Sequence, residues 1–237
     1  MKNIYGIILL LILFTSCSKK TEQPCDDSFI KGNNYILNSD FKNAKKEFEK
    51  SIKLNPNNAN AFYGIAYVYS IEGNSDDAID YFTKSIKLDN DFALAYANRA
   101  GEYFKIGELD NSINDLEKVI QLKPDFTPIY FMLANIYAQK GENEKAISNF
   151  DMFIKFEKRN AVVYFNKSIA LGNLGRYDKA IENINLSLKL NDKNALAYFH
   201  KGNYEAKLNK LQESCESYKK AEVYGLQISD DFKGHCN

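Results

Sequence analysis

The stretch AVVYFNKSIALGNLGRYDKAIENINLSLKLNDKN, residues 161–194, holds the pattern from which the rest of the chain can be read. Slid along the sequence by 34 residues, it finds itself again. Ala59, Ala93, Ala161 and Ala195 fall in one column, Tyr96, Tyr130, Tyr164 and Tyr198 in another, and Gly73, Gly107, Gly141 and Gly175 in a third, with Asn209 next in line. Starting at Cys25, six units run without insertion or deletion: 25–58, 59–92, 93–126, 127–160, 161–194 and 195–228.

Each column has a physical reason. If a unit is two antiparallel helices, their backbones approach only where small side chains meet. Those points are Gly32, Ala66, Ala100, Ala134, Ser168 and Gly202 on the first helices, and Ala44, Ala78, Ser112, Ala146, Ala180 and Ser214 on the second. Four residues beyond the second set, on the same helical face, stand Phe48, Phe82, Leu116, Phe150, Ile184 and Tyr218, large enough to fill the space between units. The recurrent Gly stops the first helix in the left-handed conformation, which Gly tolerates best and Asn second. In the first unit Ser39 stands in that column, and Asn38 beside it could take the role instead. A long coiled coil would instead show unbroken heptads without a periodic Gly.

The period and the residue classes resemble the tetratricopeptide repeat, over nearly everything after residue 24. The resemblance implies an all-α fold, a right-handed superhelical α-solenoid of six helix-turn-helix units, with a short C-terminal cap over residues 229–237. Ser28 and Glu205 depart from aromatic slots in the first and last units, where a repeat has one neighbour fewer.

The family also implies a concave surface lined by first helices, along which its members hold peptides. On that surface would stand Phe131, Phe165 and Phe199 with Asn98, Asn135, Asn166 and Asn203, aromatic anchors outside the core alternating with carboxamides that hold a ligand backbone, the alternative being that the rings pack between neighbouring first helices. Family relatives that clamp a terminal carboxylate use cations around such an Asn. Here Phe131, Leu196 and His200 occupy those places beside Asn135 and Asn166, which excludes that clamp. The reading is a scaffold for a protein or peptide, with a glycan or peptidoglycan binder, stacking sugars on the same aromatics, as the alternative.

The first residues form a separate segment. Lys2, an apolar run from Ile4 to Phe14, and Thr15-Ser16-Cys17 make a signal-peptide pattern, too short to span a membrane. Small residues directly before Cys resemble the lipobox of bacterial lipoproteins, although Phe14 stands where Leu is usual. The expectation is therefore a signal peptide over 1–16, lipidation of Cys17, a tether over 17–24, and anchoring in the bacterial cell envelope through the N-terminal lipid. Ser18, where retained inner-membrane lipoproteins carry Asp, favours the outer membrane.

Composition narrows the function. Lys plus Arg equals Asp plus Glu at 31 each, which offers no basic excess for nucleic acid. His200 and His235 have no nucleophile or zincin arrangement around them, so neither catalysis, a metal nor a cofactor is expected. Gly172 and Gly175 read as a helix end and turn rather than as a phosphate loop, and Cys215, His235 and Cys236 lack paired ligand spacing. Cys215 and Cys236 flank Gly225 at ten and eleven residues, so a chain turning there sets them level and a disulfide is expected, the alternative being two free thiols. Ser229 would cap a final helix reaching Cys236, and Cys25 would stay unpaired.

Overall fold

The computed structural model describes residues 26–234 and residue 236. The signal segment, Cys17, Cys25 and His235 lie outside the described residues. Among those described, thirteen helices form and no strand. In chain order they are α1 (Asp27–Leu37), α2 (Phe41–Leu54), α3 (Ala59–Glu72), α4 (Ser75–Leu88), α5 (Ala93–Lys105), α6 (Leu109–Leu122) and α7 (Pro128–Gln139). There follow α8 (Asn143–Phe156), α9 (Ala161–Asn173), α10 (Tyr177–Leu190), α11 (Ala195–Lys207), α12 (Leu211–Val223) and the short α13 (Asp230–Lys233). The chain divides between Ile129 and Tyr130 into two compact units.

Helix starts follow from side chains that satisfy the otherwise unpaired N–H groups of a first turn. Asp26 accepts from the Phe29 amide, Asn58 from Ala61, Asn74 from Asp77, Asn160 from Val162 and Val163, and Asn194 from Ala197. Between the helices of a pair the chain turns through a left-handed residue: Gly73, Gly107, Gly141 and Gly175, and Asn209 at φ 59°. In the first pair that residue is Ser39, at φ 56°, not Asn38, whose φ is −87°. The turn keeps its length and its column, so the residue in register takes the strained conformation whatever its side chain.

In the first unit, α1 packs on α2, α3 on α4 and α5 on α6, and each pair packs on the next. Ala44, Ala66, Ala78 and Ala100 are fully buried, as are Phe48, Phe82 and Leu116. Phe48 fills a space that exists because two residues lack a β-carbon. One added to Gly32 of α1 would meet the ring at 2.5 Å, and one added to Gly64 of α3 at 2.7 Å. Ser112 adds a hydrogen bond to its small size, donating to the Ala100 carbonyl across the pair at 2.8 Å.

The second unit repeats the arrangement, with α9 on α10 and α11 on α12. Ala134, Ala146, Ser168, Ala180 and Ser214 are fully buried, with Phe150 and Ile184. Ser214 donates to the Gly202 carbonyl at 2.9 Å, the same tie that Ser112 makes in the first unit. Glu205, in an aromatic slot, is buried and accepts from Ser217 at 2.7 Å, so a hydrogen bond replaces ring packing there.

After α12 the chain turns at Gly225, and Ile228 is buried against Tyr218 and Ala221. Cys215 and Cys236 are joined in a disulfide, with Cα atoms 5.4 Å apart. The final helix is shorter than the sequence suggests: α13 ends at Lys233, and Ser229, at its N-cap, makes no side-chain hydrogen bond there. Both thiols being engaged, Cys215 and Cys236 cannot serve as metal ligands.

Candidate functional site

The residues singled out on the first helices fall on one side of each pair, half-buried rather than open. In the second unit, Phe131 lies against Phe153 with ring centroids 5.6 Å apart, and against Phe150 at 6.2 Å. Phe165 borders the cluster of Leu171, Ala180, Ile184 and Ala197 and meets His200 edge-on at 5.5 Å. Phe199 touches His200, Tyr218 and, from the C-terminal segment, Phe232 at 5.2 Å. These rings are therefore part of the packing as well as of the surface. None of the three belongs to the fully buried core, but each packs against it.

The carboxamides are tied to their surroundings in the same way. Asn135 donates to the Phe131 carbonyl at 2.9 Å and accepts, through Oδ1, from Asn166 at 2.9 Å. Asn203 accepts from the Tyr218 hydroxyl at 2.8 Å. In the first unit Asn98 donates to the Tyr63 hydroxyl at 2.6 Å. Each bond orients its amide, and an amide held in one orientation presents its remaining donor or acceptor without further ordering cost.

Burial shapes the electrostatics. Tyr63 lies deep in its unit, and loss of solvent pushes its hydroxyl far above the usual range, so it stays protonated and can both donate and accept. His200 is surrounded by Phe165, Phe199 and Tyr204, and burial among these rings lowers its pKa. Tyr204 is itself pushed up to about 12, first by burial and then by the neighbouring Tyr177. Tyr63, His200 and Tyr204 are thus uncharged near neutrality.

Two polar arrangements join residues that the repeat pattern does not link. Arg99 of α5 grips Asp115 of α6 with two hydrogen bonds, at 2.8 and 2.7 Å, and reaches Thr83 of α4 with a third, at 2.9 Å. Glu102, buried in α5, accepts from Ser75 at 2.7 Å, from Lys105 at 2.6 Å and also from Ser70. His200 occupies the column in which Asn98 and Asn166 stand, and that column is the one clue the sequence offered. Among the described residues no group of three or more His, Cys, Asp or Glu is placed to hold a metal. No described helix is long and apolar enough to cross a membrane.

Helix pairs at this spacing, sealed by a small residue and a large one in each unit, define a class of repeat protein. Models of the tetratricopeptide repeat match residues 29–58, 47–80, 127–157 and 161–194, and a TPR repeat model matches 100–141. The chain belongs to the tetratricopeptide-repeat family. No curated protein matches it in sequence. Among solved structures, the crystal structure of MamA protein is 26% identical, with a TM-score of 0.65, covering 71% of this chain and 92% of its own. YrrB, described as a TPR protein with an unusual peptide-binding site, shares the fold at a TM-score of 0.71 and 18% identity, over 80% of this chain and 96% of its own. MamA from Desulfovibrio magneticus RS-1 shares it at 0.67 and 13% identity, over 70% of this chain and 94% of its own.

Proposed function

We propose that this chain is a scaffold that binds a protein or peptide on the first-helix face, held at the bacterial envelope by a lipid on Cys17. The observation that carries the binding reading is the row in the second unit, where half-buried Phe131, Phe165 and Phe199 alternate with the bonded carboxamides Asn135, Asn166 and Asn203. Partly covered rings lose little freedom on binding, and pre-oriented amides match the alternating donors and acceptors of an extended backbone. The peptide-binding site of YrrB, on the same fold, supports the reading by analogy. The Cys215–Cys236 disulfide suits an exported protein, since such bonds persist in oxidising compartments.

The test is photocrosslinking in the producing cell. A benzoylphenylalanine at position 166 should capture a protein, whereas the same probe at the exposed Lys179 on α10 should not. Equal capture from both positions, or capture of glycan alone from 166, would overturn the protein-scaffold reading. For the anchor, labelled fatty acid should enter the wild type and fail to enter Cys17→Ala. Label persisting in the variant would reject lipidation at that residue.

A further inference from the structure

The 34-residue register does not stop where the sixth unit ends. Carried one step further, the column of Tyr130, Tyr164 and Tyr198 reaches Phe232, and the small-residue column of Ala134, Ser168 and Gly202 reaches Cys236. The C-terminal segment is thus written as the opening of another first helix. Only one turn of it is helical, Asp230–Lys233. A single turn cannot hold itself, because helix nucleation costs more than one hydrogen bond returns. What holds it are three contacts with the last pair: the bond from Cys236 to Cys215 of α12, the edge of Phe232 against Phe199 of α11, and Lys233 to Glu222 at 2.8 Å.

The surroundings of that bond differ from those of a buried staple. A cleft of about 530 Å³ opens beside it, bounded by Tyr218, Lys219, Glu222 and Lys233, and both cysteines are partly exposed. Lys219 stands one helical turn beyond Cys215 on α12 and borders the same cleft. A disulfide open to such a cleft is within reach of an attacking thiolate, and access is one of the conditions that set the rate of exchange.

We propose that Cys215–Cys236 is an exchangeable latch that decides whether Phe199 is covered by the chain's own Phe232 or open to a partner. The partner half of this statement rests on the scaffold reading above; the latch does not. A dithiol reductant opens it. One thiolate of the dithiol attacks Sγ of Cys236, the S–S bond breaks, and Cys215 leaves as a thiolate that takes up a proton. The second thiol of the dithiol then displaces Cys236 from the mixed disulfide. Two electrons and two protons pass to the cysteine pair, and the dithiol becomes a disulfide. Residues 229–236 then lose their covalent hold, and the ring edge that covers Phe199 goes with them.

Hydrogen exchange on the full chain, oxidised and after treatment with dithiothreitol, tests this without any partner. Reduction is expected to raise exchange at least tenfold in 226–236 and in the part of α11 around Phe199, while α9 keeps its protection. Cys236→Ser should reproduce the reduced pattern. Phe232→Ala, with the disulfide intact, should raise exchange around Phe199 alone. Unchanged exchange around Phe199 once thiol titration finds both cysteines reduced would overturn the latch. So would loss of protection in α9 as well, since the bond would then hold the whole unit together. Resistance of the native disulfide to dithiothreitol would also overturn it. Failure to crosslink a partner from position 166 would leave each of these outcomes as it stands.

Discussion

Asn166 donates its side-chain N–H to Oδ1 of Asn135, 31 residues earlier in the chain, so that the first helices α7 and α9 are joined by a side-chain amide pair at 2.9 Å. The bond lies on the face proposed to meet a partner, and it therefore serves stability and recognition together. A double-mutant cycle with Asn135→Ala and Asn166→Ala should give a coupling of about 0.5 to 1.5 kcal/mol in urea denaturation, the usual net value of a neutral hydrogen bond. Strictly additive losses would show that the pair contributes nothing beyond its separate contacts.

Phe165 packs against the buried cluster that holds Leu171 and Ile184 and meets the ring of His200. Truncating it removes part of a half-buried ring, so Phe165→Ala is expected to cost about 2 to 3 kcal/mol of stability. Phe165→Leu, which keeps most of the apolar volume, should cost about 1 kcal/mol. Calorimetric melting of the two variants separates loss of packing from loss of partner affinity: where Leu restores stability yet binding stays weak, the flat ring itself is what the partner reads.

The Arg99 side chain is 15% exposed and that of Asp115 7%, so their attraction is poorly screened and each depends on the other. Burial works against the Arg99 charge, and the Asp115 hydrogen bonds and charge more than offset it, holding the guanidinium above its ordinary value. Asp115→Ala strands that cation and should destabilise the first unit by about 3 kcal/mol. The double variant Arg99→Met with Asp115→Leu should recover most of the loss, as measured by guanidinium denaturation. A double variant as unstable as the single one would mean that the contacts of Arg99 with Thr83 and with the rings of Tyr96 and Tyr103, not the ion pair, hold the three helices.

His200 gives the second unit a dependence on pH. Burial lowers its pKa from 6.5, so the unfolded chain binds that proton more readily than the folded one. Its contribution to stability is therefore complete above pH 6.5 and declines as the pH falls below that value, until the lowered folded-state value is passed and the decline stops. Between pH 7.5 and 5, wild-type protein should lose more of its melting temperature than His200→Gln. Parallel losses in the two proteins would assign the effect to other groups.

How far the sequence carried can be judged column by column. The small and large residues at the helix crossings were legible because each is repeated, and repetition reveals what packing demands at a position. All are buried where the register put them. Ser39 shows that the column, rather than the local preference of Asn38, decides which residue turns left-handed. The polar ties were hidden for the opposite reason. Arg99, Thr83 and Asp115 come from three helices; the Arg99 column is basic again at Lys31, Lys167 and Lys201, but Thr83 and Asp115 are not repeated in theirs, so only placement in space joins the three. The half-burial of Phe131 and Phe165 was hidden too, since a column tells which way a side chain points but not how closely its neighbours approach.

The ring of Phe48 also sets an order of events for any change in the first unit. It sits where β-carbons of Gly32 and Gly64 would stand, 2.5 and 2.7 Å from its atoms. A methyl group added at either glycine collides with the ring, whereas a smaller residue at 48 leaves room for both. Routes by which this part of the chain could diverge are therefore one-way at the start: position 48 must shrink before 32 or 64 can grow. In a library randomised at the three sites, side chains larger than hydrogen at 32 or 64 should survive selection for folding only beside something smaller than Phe at 48.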